Sequence, residues 1–389
     1  MKRAVTAAWI VLVFLMPSHL AWAQGGLEAA TAAFKDDVHA TAGLTCDSCH
    51  LASAGGGGQY AAIPRTAIAP GCARCHSDPA YMRTFDPQVR VDQFAQYLTS
   101  GHGRRMAAGE VRVATCSDCH AAHGITRVRD PRAPVAAANV ATTCARCHGD
   151  AARMAPFGRD AAPPVDWSAS VHAAALVKRG DTSAPTCNSC HGSHGATPPG
   201  VADVATVCAQ CHTREAELFR ASPKNAIFEA IGQGECLACH GNHRVESPAD
   251  AWIGLEEGAV CAQCHDEVLG GAQTIRTVRQ QLDRLSAALS SADAVLTRSE
   301  EAGMLVDDGR LALREAREHL LHSRVLVHAF AEKPLSDMAA QGAAAARRAQ
   351  DAGEDAMREL QVRQRGLAVA TLLVLAFLAT LGLKIRRLP

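Results

Sequence analysis

The sequence has few aromatic side chains, no excess of either charge and no cysteine outside one recurring motif. Phe, Trp and Tyr together make up 4% of its 389 residues, which argues against an ordinary side-chain core. Lys and Arg number 39, as do Asp and Glu, so the formal net charge is zero. Such a balance gives no indication of a nucleic-acid partner or of an acidic one.

The recurring motif is Cys-x-x-Cys-His, and its eight copies contain all 16 cysteines. A zinc ribbon pairs two Cys-x-x-Cys motifs across roughly 15–20 residues and needs no histidine after each of them. Here the first cysteines are 21 to 44 residues apart and the histidine is always present. A disulfide framework would not repeat that histidine either. Cys-x-x-Cys-His attaches c-type haem, so the sequence predicts eight covalently bound haem c groups.

Each copy supplies two thiols to the porphyrin and one proximal histidine to the iron. The predicted haem-attaching cysteines are Cys46, Cys49, Cys72, Cys75, Cys116, Cys119, Cys144, Cys147, Cys187, Cys190, Cys208, Cys211, Cys236, Cys239, Cys261 and Cys264. The predicted proximal iron ligands are His50, His76, His120, His148, His191, His212, His240 and His265.

The motifs form four units of two haem sites, as expected of a repeat architecture. Within each unit a first and a second motif alternate, and the second motifs read CARCH, CARCH, CAQCH and CAQCH. Before each unit an aromatic residue is followed by Ser or Asp and then by a histidine two residues later. Ser or Asp at that spacing predicts a helix N-cap, with the histidine in the first turn. The fourth unit has Lys224 in place of this histidine.

Eight irons require eight distal ligands if all are six-coordinate. Recurring positions supply six candidates, and the repeat leaves vacancies at Ser53 and Lys224. Three further histidines lie within ten residues of the carboxyl-terminal region, and we expect two of them to complete the set. An alternative is Lys224 as an unusual ligand, or an open iron beside it. The predicted distal ligands are His39, His102, His123, His172, His194, His243, His322 and His328, with His319 as the remaining candidate.

Beyond the last motif the composition shifts to Ala, Leu, Arg and Glu. Apolar residues from Ile275 to Leu296 recur in steps of three and four, which is the pattern of a coiled-coil seam. A break near Gly303, a second helix ended by Pro334 and a third helix from about Leu335 predict an antiparallel helical bundle. The expected fold is therefore mainly α with much loop: a haem-filled repeat domain, then the bundle, then one transmembrane helix.

Both ends of the chain carry apolar segments. Residues 1–23 resemble a secretory signal peptide with an Ala-x-Ala cleavage site. Residues 366–383 are uncharged and reach across a bilayer core of roughly 30 Å. The expected organisation is a signal peptide (1–23), an octahaem domain (24–270), a bundle (271–365), an anchor (366–383) and a cytoplasmic tail (384–389). The haem region would then lie on the periplasmic side of a bacterial inner membrane.

The paired motifs and the Cys-His-x-x-His feature resemble the multihaem c-type cytochromes of the cytochrome c3 type. The resemblance covers about residues 34–265 and implies a closely spaced chain of haems whose ligands cross between neighbours. At the level of architecture the chain is also similar to the octahaem hydroxylamine oxidoreductases and nitrite reductases.

These features predict an electron carrier between a quinol-linked membrane donor and periplasmic or outer-membrane redox proteins. The alternative is an oxidoreductase of small nitrogen or sulfur compounds, such as nitrite, hydroxylamine or tetrathionate, which needs an open iron. No motif ends in lysine, and none of Tyr60, Tyr81 and Tyr97 is clearly placed for a haem crosslink. These absences favour a carrier without catalytic residues. A haem-based sensor is disfavoured because the expected cytoplasmic tail is so short.

Overall fold

The computed structural model describes residues 19–50, 60–268 and 270–387. These residues form helices and loops, and no β-strand occurs among them. Apart from its repeats, the chain divides into two compact parts, an amino-terminal part (Met1–Val204) and a carboxyl-terminal part (Ala205–Pro389). Most of the predicted signal peptide lies outside the described residues, as do Ser53 and residues 388–389 of the predicted tail.

The amino-terminal part contains five haem-attachment motifs on short helices joined by loops. Its α-helices are α1 (His19–Phe34), α2 (Val38–Thr41), α3 (Arg65–His76), α4 (Pro79–Met82), α5 (Gln93–Thr99), α6 (Gly101–Ala107), α7 (Cys116–His120), α8 (Ala137–His148), α9 (Ala151–Met154), α10 (Pro163–Ser168), α11 (Val171–Ala173) and α12 (Cys187–His191). Single 3-10 turns at Cys46–Ser48 and Ala155–Phe157 and a π-turn at Ala174–Lys178 complete it.

Apolar packing in the amino-terminal part is sparse. Its cluster of buried hydrophobic residues consists of Ala175, Leu176 and Ala184, with Ala137 and Trp167 packed against it. A region with so little buried side-chain surface gains little hydrophobic stabilisation of its own. This agrees with the expectation that an ordinary side-chain core is missing here.

The carboxyl-terminal part holds the last three motifs together with the long helices. Its α-helices are α13 (Thr213–Arg220), α14 (Pro223–Ala230), α15 (Leu237–His240), α16 (Ala272–Glu301), α17 (Asp307–Leu326) and α18 (Glu332–Arg386). Short 3-10 turns lie at Asp250–Trp252, Cys261–Gln263 and Val327–Ala329. Another 3-10 turn, at Val204–Gln210, begins at the last residue of the amino-terminal part.

Helices α16, α17 and α18 form the predicted bundle around an apolar seam. The fully buried side chains of that seam include Leu282, Leu285, Leu296, Leu313 and Leu335. Helix α16 ends two residues before Gly303, as expected. The end of the second helix differs from the prediction. Helix α17 stops at Leu326, and Pro334 lies in the first turn of α18, where proline is tolerated because its missing N–H would have no partner.

Helix α18 continues without a break from the bundle into the apolar carboxyl-terminal segment. An 18-residue window within it has a mean hydropathy of 2.4, and none of that window is buried. The helix is thus long and apolar enough to cross a membrane, and it is the one such helix in the described part of the chain.

Candidate haem-binding sites

The first motifs of the second and third units are five-residue helices that begin at a threonine cap. The N–H of Thr115 donates to the Asp118 carboxylate at 2.7 Å, and that of Thr186 donates to the Ser189 hydroxyl at 3.1 Å. Residues three and four apart share one face of a helix. The two thiols and the histidine of α7, and likewise of α12, therefore lie on one side.

The aromatic residue before each of these units holds the chain that leads into the first motif. The Tyr97 hydroxyl donates to the carbonyl oxygen of Ala114 at 2.8 Å. The Trp167 indole N–H donates to that of Pro185 at 3.3 Å. Both carbonyls lie two residues before the first cysteine, so the aromatic side chain fixes the position of the haem-attaching thiols.

The second motifs of the first and second units form the last turn of longer helices, α3 and α8. The arginine of each CARCH motif donates to a backbone carbonyl of the first motif in the same unit. Arg74 reaches Ser48 at 3.4 Å, and Arg146 reaches Asp118 at 2.9 Å. These contacts tie the two haem sites of a unit together.

The predicted N-caps before the recurring histidines are confirmed. The capping side chains are almost fully buried and each accepts a hydrogen bond from a backbone N–H of the helix it starts. They are Asp37 before α2, Ser100 before α6, Ser170 before α11 and Ser222 before α14. Each cap places the recurring histidine, or Lys224, in the first turn.

The distal candidates of the Cys-His-x-x-His type face first-motif histidines. The ring centroids of His50 and His123 are 6.0 Å apart, and those of His120 and His194 are 6.2 Å apart. In both pairs the rings are nearly parallel, with interplanar angles of 12° and 5°. The partner in each pair comes from the following unit of the repeat.

The distal candidates behind the N-caps face second-motif histidines of their own unit. The ring centroids of His39 and His76 are 6.0 Å apart, and so are those of His102 and His148. These rings are steeply inclined, with interplanar angles of 83° and 54°.

The spacing of these ring pairs fits two imidazoles on opposite faces of one haem iron. Two metal–nitrogen bonds of about 2 Å and half the width of each ring give a centroid separation of about 6 Å. In the described ranges, no group of three or more His, Cys, Asp or Glu side chains could hold a metal ion by itself. A donor set of paired histidines beside two thiols suits an iron whose other four ligands belong to a porphyrin.

A residue with a positive φ directs the Cys-His-x-x-His histidine away from its own motif. Ala121, Gly192 and Gly241 directly follow a first-motif proximal histidine and have φ values of 71°, 79° and 68°. This backbone region is rare outside glycine. It ends the helix at once and turns the chain, so the next histidine can face another motif.

The Cys-His-x-x-His histidines His123 and His194 each face the first motif of the preceding repeat, and this offset changes how the vacancy at Ser53 is understood. A Cys-His-x-x-His histidine in the first unit would have no preceding first motif to face, so Ser53 need not be a vacancy. At the other end, no following unit exists to supply a partner for His240. His328 lies there instead, with its ring centroid 6.1 Å from that of His240 and an interplanar angle of 17°.

The two other carboxyl-terminal histidines are not brought to a motif. His322, which was expected to be a distal ligand, is exposed on α17 and makes no ring contact among the described residues. His319 lies against α18, where its Nδ1 is 3.1 Å from the Met338 sulfur. His328 lies beyond α17 in a separate 3-10 turn and faces His240, so the geometry favours His328 over His322 as a distal ligand.

The last second motif is faced by Lys224. The Nζ atom of Lys224 lies 2.7 Å from Nε2 of His265. Lys224 therefore stands where a distal histidine stands in the first two units, and the geometry favours it over His322 as the eighth distal group.

Several of these histidines have their other ring nitrogen fixed by a hydrogen bond. The Nδ1–H groups donate to oxygens at 2.9 to 3.1 Å, which leaves Nε2 free to bind a metal. The pairs are His39 with Asp37, His50 with Ala61, His265 with Gly270 and His328 with Val325. Sequence patterns gave no indication of these anchors, because three of the four acceptors are backbone carbonyls.

Burial favours the neutral form of four of the facing histidines. Burial, and after it the facing ring, lowers the pKa of four of them below the ordinary value for histidine: His76, His102, His120 and His240. Iron binds the neutral imidazole, so this environment favours the form that can ligate.

The first cysteines of consecutive motifs from neighbouring repeats lie near each other. The first cysteine of a second motif interacts electrostatically with the first cysteine of the following repeat's first motif, in the pairs Cys72–Cys116, Cys144–Cys187 and Cys208–Cys236. These contacts join motifs that follow one another in the sequence. The guanidinium of Arg65 strengthens the first of these junctions. Its two terminal nitrogens donate to the Asp118 carboxylate at 2.7 and 3.3 Å.

His172 and His243 take the same repeat positions as the distal candidates described above. His172 follows its serine cap in α11, and His243 follows Gly241 after α15. Their assignment as iron ligands stays a prediction, as does that of every other proximal and distal histidine.

The chain matches a family model described as cytochrome c3, over residues 38–149 and 179–266. These two segments together make up about half of the chain, and each contains four of the eight motifs. No curated protein and no solved structure matches the chain at a significant level.

Proposed function

Since the chain belongs to the cytochrome c3 family, and so binds haem c covalently and transfers electrons, we propose that it carries eight haems as an electron wire. The wire would lead from a quinol-linked donor in the inner membrane to periplasmic or outer-membrane redox proteins. The observation that carries this proposal is the set of histidine ring pairs with centroids 6.0 to 6.2 Å apart.

Paired histidines suit a carrier better than an enzyme. An iron with two imidazole ligands is six-coordinate and need not exchange a ligand to accept or release an electron. Bis-histidine ligation is therefore compatible with fast transfer and leaves no place for a substrate. The same ligand set gives lower potentials than a methionine ligand would.

The order of the sites in the sequence supports a linear path. Interactions between consecutive motifs join Cys72 with Cys116, Cys144 with Cys187 and Cys208 with Cys236. Haems attached at these neighbouring cysteines would lie edge to edge, so electrons would pass between the motifs that each pair joins.

The last three sites and the membrane-spanning candidate belong to one compact unit, residues 205–389. Asp250, between the seventh and eighth motifs, accepts two hydrogen bonds of 2.9 Å from the guanidinium of Arg324 in α17. His328 directly follows α17 and faces His240. We infer that the bundle holds these haems close to the membrane, where a quinol or a membrane partner could reach them.

A reductase or oxidase of small nitrogen or sulfur compounds is the second candidate function. It is favoured by one observation, the amine of Lys224 opposite His265 where two other units have an imidazole. An amine there could be displaced more readily than an imidazole, which would open the iron of the last motif to a substrate.

Low-temperature EPR of the oxidised holoprotein tests the proposal, with nitrite or hydroxylamine added to parallel samples. The haem-to-protein ratio is measured on the same preparation and is expected to be eight. Low-spin signals that neither compound alters would agree with a wire. A high-spin signal that shifts with either compound would favour the enzyme.

A further inference from the structure

Lys224 occupies a position built for an iron ligand. The cap Ser222 is buried, and its hydroxyl accepts from the N–H of Lys224 at 3.2 Å. In the first unit the buried Asp37 accepts from the N–H of His39 in the same way, at 2.8 Å. The backbone thus places Lys224 in the first turn of α14 just as it places His39 in the first turn of α2.

The amine is directed at the iron-binding nitrogen of the last motif. The Nδ1–H of His265 donates to the carbonyl of Gly270 at 3.0 Å, so Nε2 carries the free lone pair. The Nζ of Lys224 lies 2.7 Å from that Nε2. An iron between them needs about 4 Å, twice a metal–nitrogen bond. The flexible four-carbon stem of lysine can withdraw by the difference without moving the backbone.

The aromatic ring of Phe330 lies beside the amine and is packed against a second phenylalanine. The Nζ of Lys224 lies 5.8 Å from the ring centroid of Phe330, which has a left-handed φ of 47°. Phe219 contacts both Phe330 and Phe228 edge to face, at centroid distances of 6.1 and 5.3 Å. The turn after α17 therefore supplies His328 to one site and an apolar wall to the next.

We propose that the last haem, attached at Cys261 and Cys264, has Lys224 as its sixth ligand, and that a small uncharged diatomic molecule displaces this amine when the iron is reduced. The proposal rests on the wire described above and concerns only its final haem. A primary amine is a hard σ-donor without π-acceptor orbitals, so it holds soft ferrous iron less firmly than imidazole does. Carbon monoxide and nitric oxide are π-acceptors and bind ferrous haem in its place.

The experiment compares full-length holoprotein in detergent with Lys224→His and Lys224→Ala. The control is Lys333→Ala, which changes an exposed lysine that is paired with Asp337 in α18. Near-infrared magnetic circular dichroism of the oxidised proteins distinguishes amine-ligated from bis-imidazole haem. Titration of the reduced proteins with carbon monoxide counts the exchangeable irons, and the haem content of each variant is measured alongside.

The wild type and the Lys333→Ala control are expected to show one amine-ligated haem and to bind one carbon monoxide per chain. Lys224→His should lose both the amine band and the carbon monoxide binding. Lys224→Ala should lose the amine band, gain one high-spin haem and still bind one carbon monoxide. If Lys224→Ala does not assemble, the wild type and Lys224→His decide the question by themselves.

A high-spin haem in the oxidised wild type, or an amine band that survives Lys224→His, would overturn the assignment. Unchanged carbon monoxide binding by Lys224→His would overturn the exchange step. The wire itself fails differently, through a haem content other than eight or high-spin signals from several sites in every variant.

Discussion

Asp37 is an acidic residue at a position where the other three units have serine. It is 1% exposed and accepts from the Nδ1–H of His39 at 2.9 Å and from the N–H of Ile125 at 2.8 Å. A carboxylate that accepts the Nδ1 proton gives the imidazole partial anionic character and makes it a stronger donor. Such a ligand stabilises ferric over ferrous iron, so the haem between His39 and His76 should have a low potential.

Asp37→Ser is therefore expected to raise the potential of one haem. A charge-assisted hydrogen bond is worth about 1.5 kcal/mol, and about 59 mV corresponds to a tenfold change for one electron, so the shift is on the order of 50 mV. Serine can still cap α2, which limits the structural effect. A spectroelectrochemical titration measures the change, with the exposed neighbour Asp36→Ser as control. Equal titrations of the two variants would contradict the argument.

The chemical type of each site residue could be predicted from the sequence, but its partner could not. Periodic spacing identified the caps and the histidines behind them, because a cap is a local structure. Which iron His123 faces depends on contacts between units, and sequence spacing does not encode them. The absence of a partner motif for the first unit's Ser53 was the one available clue to the offset.

At the scale of the elements, the two kinds of motif hold their histidine pairs differently. Pairs at first motifs have nearly parallel rings, with angles of 5° to 17°. Pairs at second motifs have rings inclined by 54° and 83°. The difference accompanies the source of the facing histidine. At first motifs it comes from a loop after a positive φ (His123 and His194) or from a 3-10 turn (His328), and at second motifs from the first turn of a capped helix.

Low-temperature EPR is expected to resolve two classes of low-spin haem. Parallel imidazole planes donate into the same iron d orbital and split the pair of orbitals strongly, which gives a rhombic signal. Inclined planes donate into both orbitals, reduce the splitting and give a signal with one large g value. His102→Met should remove one haem from the large-g class and leave the rhombic class unchanged. A single class in the wild type would contradict the geometry.

The bundle depends on small residues where its helices approach closely. A methyl group added at Gly342 in α18 would lie 2.8 Å from Cδ2 of Leu285 and 2.9 Å from Cβ of His319. Both distances are shorter than a normal carbon–carbon contact. Glycine and alanine at such points allow three helices to pack without long side chains between them.

Gly342→Val is expected to destabilise the bundle by about 1–3 kcal/mol, the usual cost of overpacking. Thermal unfolding of the holoprotein, followed by helical circular dichroism, measures the effect. Ala340→Val adds β-branched bulk at an exposed position of the same helix and should change the midpoint little. If both variants unfold at the same temperature, the close approach at Gly342 is unimportant.

The seam of the bundle was predictable because apolar residues recur with the helical period over several turns. The boundary at Pro334 was not, because proline ends one helix and begins another with equal ease. The stop of α17 at Leu326 instead brings His328 into a separate 3-10 turn against His240, and no periodicity signals such a tertiary contact.

At the scale of the whole molecule, α18 is one helix of 55 residues that serves both the bundle and the apolar segment. We expect a chain that ends at residue 365 to leave the membrane fraction while keeping all its haems, because the bundle contacts lie before that point. Fractionation with haem staining measures this. Removing only residues 384–389 is the control and should leave the protein in the membrane. A 1–365 chain that stays membrane-bound would place the anchor elsewhere.

A histidine of one repeat faces the first-motif histidine of the repeat before it: His123 faces His50, and His194 faces His120. Such an arrangement governs how a chain of this kind can lengthen in evolution. Duplicating an internal repeat adds two haems and keeps every offset pairing intact, whereas losing one at the end leaves a first-motif iron without its partner. Growth therefore needs a terminal residue that closes the series, and His328 holds that place opposite His240.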